Sequence, residues 1–267
     1  MTRVVTLITF FISMANSRWT TFWRRTRNAF QDQSRRIIRM EGAELPSRAP
    51  RLLYSFNTPL QVSEAVLGSD ADIGGRSSVN FTLDQSSQDE QIGRPTAKFH
   101  GHLSLDIIRP ELRGRINTGY AGFKTPVRST LFGKITDNVY FYDYLALRVR
   151  AAGDPILHGC YFVNIQTLDG MQHKSLWQQR LPIRRQDNDW ETVYLPFDDF
   201  EYFTIGEQPS VRENIDKESL LTIGISVLGG RHHASGPYEL GVDSIWVVAD
   251  HEGCVPDSPG PNIPQSP

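Results

Sequence analysis

Seven stretches of this chain alternate apolar and polar side chains with a period of two, and that pattern specifies half-buried β-strands. In "SVNFTLD", Val79, Phe81 and Leu83 fall on one face. "KFHGHLSLD" does the same with Phe99, Leu103 and Leu105, with Gly101 between them. "YLALRVR" sets Leu145, Leu147 and Val149 against Tyr144, Ala146, Arg148 and Arg150. "CYFVNIQTL", "ETVYLPF", "TIGISVL" and "YELGVDSIWVV" continue the series, and breakers such as "AAGDP" (151–155), "RRQDND" (184–189) and "GGRHHASGP" (229–237) separate the runs. Short strands with turn signals between them and no sustained helical period predict an all-β antiparallel sandwich or jelly roll over residues 51–250. One stretch near 212–221, "RENIDKESLL", reads as a short helix or an irregular segment.

The flanks are of another kind. Residues 1–40 hold eight arginines, no lysine and one acid, Asp32, so this segment carries +7 while the whole chain carries −2. The remainder is therefore acidic, which argues against a nucleic-acid partner. "VVTLITFFISM" (4–14) is too short to cross a bilayer as a helix. Beyond it, Trp19, Phe22, Trp23, Phe30, Ile37 and Ile38 fall near one helical face, with arginines on much of the rest. Residues 1–50 thus read as an Arg-rich amphipathic segment for mitochondrial targeting or for contact with an anionic membrane surface. The tail, 251–267, has five prolines in seventeen residues and reads as disordered. Two cysteines, Cys160 and Cys254, make no disulfide framework.

The loop "GSDADIGGRSS" (68–78) invites a phosphate, metal or turn reading. Its glycines are wrongly spaced for a phosphate cradle and no lysine follows, and the acids do not follow the EF-hand order. The reading that remains first is a turn, with Asp70 and Asp72 bonding nearby amides and Gly74 and Gly75 at positive φ. His100 and His102 share a strand face but lack a third ligand at a diagnostic spacing. No G-x-S-x-G elbow occurs, and the adjacent Asp198 and Asp199 of "PFDDF" would point to opposite faces of a strand. "NFT" at Asn80–Thr82 matches a glycosylation sequon inside an apparent strand. The chain therefore reads as a non-enzyme with no cofactor and no metal.

Several of these segments, in order, resemble the complex I intermediate-associated protein 30 family of mitochondrial assembly factors. They are "SDADIGGRSS", "FHGHLSLD", "GYAGFKTP", "YDYLALRVRAAGD", "DWETVYLPFDDF" and "SGPYELGVDSIWVV". The resemblance runs from about residue 51 to 250. It implies a galactose-binding-like jelly-roll β-sandwich and a non-enzymatic, chaperone-like role on the matrix side of the inner membrane. The implied partners are membrane-arm assembly intermediates of complex I and other assembly factors, with peripheral inner-membrane contact through the N-terminal segment. It supplies no catalytic residue.

A sandwich presents loops at its ends, and the candidate partner-contact residues lie in three such segments: 68–78, "GYAGFKTP" and "GGRHHASGP". These are Asp70, Asp72, Arg76, Lys124, Arg231, His232 and His233. The same fold class hosts sugar binders, so the alternative is a carbohydrate-binding module, with Trp177, Trp190 and Trp246 as candidate platforms. Trp190 and Trp246 sit in alternating apolar segments, which favours core packing for both.

Overall fold

The computed structural model describes residues 20, 22–28, 31, 48–84, 93–108, 111, 118–131, 133–168, 175–185, 187–204, 214–230 and 233–250. The chain divides into two compact units, one formed by Met1–Ser47 with Val127–Thr136 and the other by Arg48–Pro126 with Asp137–Pro267. In the first, residues 22–28 are helical and strands β6 (Arg128–Thr130) and β7 (Gly133–Ile135) make a hairpin. On that helix Phe22 is half-buried and Arg24 and Arg27 are exposed, whereas Trp23 is 54% exposed and so stands off the apolar face expected for it. Trp19, Phe30, Ile37, Ile38 and the tail 251–267 lie outside the described residues.

The second unit is an all-β jelly-roll sandwich of two antiparallel sheets. One has the order β11 (Glu191–Pro196), β8 (Tyr144–Gly153), β14 (Gly236–Val248), β4 (Thr96–Leu103), β3 (Asn80–Asp84). Strand β14 is thirteen residues long, so β4 pairs with its first half and β1 (Arg51–Ser55) with its second half along the same edge. The other sheet runs β12 (Glu201–Thr204), β10 (Ser175–Arg180), β9 (Tyr161–Thr167), β13 (Leu220–Leu228), β5 (Tyr120–Lys124), β2 (Val66–Ser69). Chain order crosses between the sheets repeatedly, which closes the core between them.

The apolar half of each alternating run supplies that core. Leu145, Leu147 and Val149 of β8 face Tyr161, Val163 and Ile165 of β9 and Ile223, Ile225 and Val227 of β13 within one buried cluster. An aromatic group binds the sheets together: Phe81 and Phe123 stack at 4.2 Å, and Phe99 meets Phe123 edge-on at 5.2 Å. Each such pair is worth about 0.5–1.5 kcal/mol beyond its buried area. Phe123 therefore fixes β5 against the first sheet, and the neighbours on either side, Gly122 and Lys124, point outward.

Two expectations change, and the segment read as helical or irregular is irregular. Residues 214–219 form an irregular turn that ends at β13; Asp216 accepts from the Glu218 amide at 3.0 Å and from the Ser219 hydroxyl, which competes with a helix. "GYAGFKTP" is not a loop for most of its length: Tyr120–Lys124 is strand β5. Asp198 and Asp199 sit in a 3₁₀ turn (Phe197–Asp199), not a strand, and both are exposed because Phe197 and Phe200 turn inward on either side of them.

Candidate functional site

The loop at 68–78 is built around one buried carboxylate. Asp70 is 0% exposed and accepts from the Ser77 amide at 2.8 Å, the Ser77 hydroxyl at 2.9 Å and the Gly119 amide at 2.6 Å. Ser69 and Asp72 cap the 3₁₀ turn Asp70–Ile73 reciprocally, and Gly74 ends it at φ 105°. The expected turn is present with one difference: Gly75 has no positive φ. Its glycine is required by space, because a Cβ there would lie 2.3 Å from the Asp70 Cγ.

Through Gly119 this loop joins a second one. The Gly119 carbonyl accepts from the Gly229 amide at 2.8 Å, so Asp70, the start of β5 and the turn after β13 are one hydrogen-bonded junction. Asp72 and Arg76 are thus exposed on the loop that holds the buried Asp70, and the exposed His233 lies four residues beyond Gly229 in the turn joined to it. Asp70 itself cannot meet a partner, since burial and three hydrogen bonds commit it to the loop. Arg76 makes no ion pair among the described residues. Arg231 and His232 lie outside the described residues. Lys124 is at the other end of β5, about 13 Å along the strand from Tyr120.

Lys124 belongs instead to a groove of about 320 Å³ on the outer face of the second sheet. Its walls carry the polar half of the alternation from four strands. Lys124 Nζ donates to Gln166 Oε1 at 3.1 Å, and Thr222 Oγ1 donates to the same oxygen at 3.0 Å. Gln178 Nε2 donates to Asn164 Oδ1 at 2.7 Å, and Asn164 Nδ2 donates to Ser226 Oγ at 2.9 Å. Gly68 and Gly122 stand opposite each other across β2 and β5, and Gly224 faces Lys124, so the floor is backbone. Tyr120 closes the end nearest the loop junction; burial first, then the carboxylates of Asp70 and Asp72, raise its pKa, which keeps the phenol protonated.

The lining contains no carboxylate, cysteine or histidine; it offers one positive charge, amide and hydroxyl hydrogen bonds, and apolar surface from Val66, Leu67 and Leu176. Amide residues on a strand's polar face gave no local signal in the sequence, because only the sheet register brings β2, β5, β9, β10 and β13 together.

The remaining candidates are accounted for elsewhere. His100 Nε2 lies 3.1 Å from Thr82 Oγ1, and burial followed by Lys98 lowers its pKa; His102 is exposed. Among the described residues no cluster of three or more His, Cys, Asp or Glu could hold a metal ion. Trp177 is buried in the core, whereas Trp190 is buried outside it, beside Gly241 and under the Arg150 guanidinium. The half-buried Trp246 also stands outside the core cluster expected for it and Trp190, and donates Nε1 to Ser244 Oγ at 3.0 Å. Burial closes Trp177 and Trp190 to a sugar.

A family model described as complex I intermediate-associated protein 30 matches residues 54–242. A relative from Neurospora crassa named "Complex I intermediate-associated protein 30, mitochondrial" is 30% identical over 249 residues, covering 87% of this chain and 85% of its own. One of the same name from Mus musculus is 24% identical over 202 residues, covering 75% of this chain and 56% of its own. Among solved structures, a family 11 carbohydrate-binding module from Clostridium thermocellum superposes with a TM-score of 0.49 at 14% identity, covering 76% of this chain and 97% of the module.

Proposed function

Since the chain belongs to the complex I intermediate-associated protein 30 family, we propose that it is a non-enzymatic assembly factor for mitochondrial respiratory complex I. In this reading it binds membrane-arm assembly intermediates alongside other assembly factors on the matrix side and leaves the finished complex. The observation that supports it most is the extent of the family match, 54–242, which takes in strands of both sheets from β1 to β14. The Arg-rich first forty residues suit mitochondrial delivery and a peripheral hold on the anionic inner membrane, at about 1 kcal/mol per basic residue near the surface. Among the described residues no helix is long and apolar enough to cross a membrane.

The test is native-gel separation of the tagged protein from its own cells, with mass spectrometry of what migrates beside it. Co-migration with partial complex I and absence from the mature complex is the expected result. A glycosylated protein in the secretory pathway would overturn both the role and the location.

The exposed end of the loop junction gives a sharper expectation. Arg76 is solvent-facing and unpaired among the described residues, so Arg76→Glu leaves the fold's interactions intact. Rim charges act on encounter and partner choice more than on folding. The variant is expected to recover roughly tenfold less partial complex in a pull-down while melting within a degree of the wild type. Undiminished recovery would remove the junction from the contact surface.

A further inference from the structure

The groove on the second sheet has a charge that the protein itself does not balance. Lys124 reaches an amide oxygen, Gln166 Oε1, and no carboxylate lines the groove or pairs with this ammonium among the described residues. That oxygen already accepts from both Lys124 and Thr222, which turns the Gln166 amide nitrogen away as a spare donor. On β10, the Gln178 nitrogen is engaged by Asn164, which leaves the Gln178 carbonyl as a spare acceptor. An ammonium and an amide donor thus stand a short distance across the sheet from a carbonyl acceptor.

The floor shows a second departure from an ordinary sheet face. Glycine at 224 is explained by packing, since a Cβ would come within 2.5 Å of the Phe123 carbonyl oxygen, and a Cβ at 122 would sit tightly, 3.2 Å from the Ile225 carbonyl oxygen. Gly68 has neither excuse: its φ is not positive and a Cβ there meets nothing within 4 Å. The missing side chain at 68 keeps open a trough that packing does not require to be open.

We propose that this groove holds an extended segment of a partner polypeptide bearing an acidic side chain. The carboxylate sits on Lys124 and the Gln166 amide, while the segment's own backbone uses the Gln178 carbonyl and the glycine floor allows its close approach. Charge complementarity selects this occupant, because a neutral glycan gives Lys124 nothing to neutralise, and Tyr120 is the sole ring facing the groove with no second platform. The identity of the partner as a complex I intermediate rests on the assembly reading; the chemistry of the segment does not.

The experiment is an array of heptapeptides tiled across matrix and inner-membrane proteins, probed with the full chain, followed by solution titration of retained peptides. Each retained peptide is paired with its Glu→Gln or Asp→Asn version. Three proteins are compared: wild type, Lys124→Gln and Gly68→Trp, the last filling the trough from a position with free space. Retained peptides are expected to carry an acid whose amide version binds at least tenfold more weakly. Lys124→Gln is expected to lose the same factor and to become indifferent to the acid-to-amide change. Gly68→Trp is expected to lose detectable binding while melting with the wild type.

Peptides that bind all three proteins equally would overturn the proposal. So would a silent peptide array beside retention of uncharged glucan oligosaccharides that Gly68→Trp abolishes. A silent array in a chain that still co-migrates with partial complex I sinks the groove and leaves the assembly role standing. Lys124-dependent acidic peptides in a chain that does not co-migrate sustain the groove and sink the assembly role.

Discussion

Asp243→Ala is expected to lower the unfolding free energy by about 3–5 kcal/mol, the range for removing one partner of a buried ion pair. Asp243 is 3% exposed and lies where β14 shifts register between Val242 and Ser244. Its oxygens accept from Arg94 Nε at 3.1 Å and Nη2 at 2.9 Å, from Asn57 Nδ2 at 2.8 Å and from Ser244 Oγ at 2.7 Å. Its own carbonyl accepts from the Phe56 amide at 2.9 Å. The carboxylate therefore gathers the segment after β1, the segment before β4 and the bulge of β14 at the point where β14 passes from β4 to β1. Arg94 is partly solvated, with 39% of its side chain exposed, so the stranded guanidinium recovers some hydration and the lower half of the range is favoured.

Urea denaturation of Asp243→Ala, of Arg94→Met and of the double variant separates the terms. If the pair acts as a unit, Arg94→Met costs much less in the Asp243→Ala background than alone. A loss under 1 kcal/mol in Asp243→Ala, or full additivity, would show that the register shift is held by backbone pairing and not by this carboxylate.

How much of this was legible follows from what alternation can carry. Strands β8, β9, β11 and β13 read correctly because their inward residues are apolar along most of the run, as in Leu145, Leu147 and Val149, with buried polar residues on that side only at strand ends, Thr167 of β9 and Glu191 of β11. Strand β10, "SLWQQR", was missed because Gln179 follows Trp177 on the inward side and breaks the pattern, while Leu176 and Gln178 face out. Strand β5 reads as a loop in the sequence because Gly122, opposite Gly68 and Ser226, looks like a turn residue without its partners.

The candidate site divides along the same line. The turn at 68–78 is local, so Asp70 and Gly74 could be assigned from neighbouring residues, though the reason for Gly75 could not. The groove draws residues from 66 to 226 and exists only through register; of its polar residues, Lys124 alone was singled out, and as part of a loop. Asp243 was invisible for the opposite reason: within "YELGVDSIWVV" a single acid reads as the polar half of a strand, and nothing nearby announces Arg94 or Asn57.

Gly75→Ala is expected to cost about 2–4 kcal/mol, more than the usual price of overpacking, because the atom it meets cannot move. The new Cβ lands 2.3 Å from Asp70 Cγ and 2.5 Å from Oδ1. Elsewhere a side chain would swing aside. Here, movement of the carboxylate gives up the Ser77 and Gly119 amides, buried donors each costing roughly 1–3 kcal/mol when orphaned. The strain and the lost bonds are alternatives, so the cheaper of the two sets the cost. A cycle with Asp70→Ala tests the argument. Asp70→Ala removes the Cγ and Oδ1 contacts at 2.3 and 2.5 Å but keeps its Cβ, 2.7 Å from the new one, so the two changes together should fall short of their sum by about 1–3 kcal/mol. Additive losses would mean that the backbone and the Asp70 Cβ, and not the carboxylate, demand glycine at 75. Because Gly119 opens β5 beside Tyr120, the same variant should also disturb the Tyr120 end of the groove, seen as changed hydrogen exchange at Gly119 and Tyr120 with Gln166 unaffected.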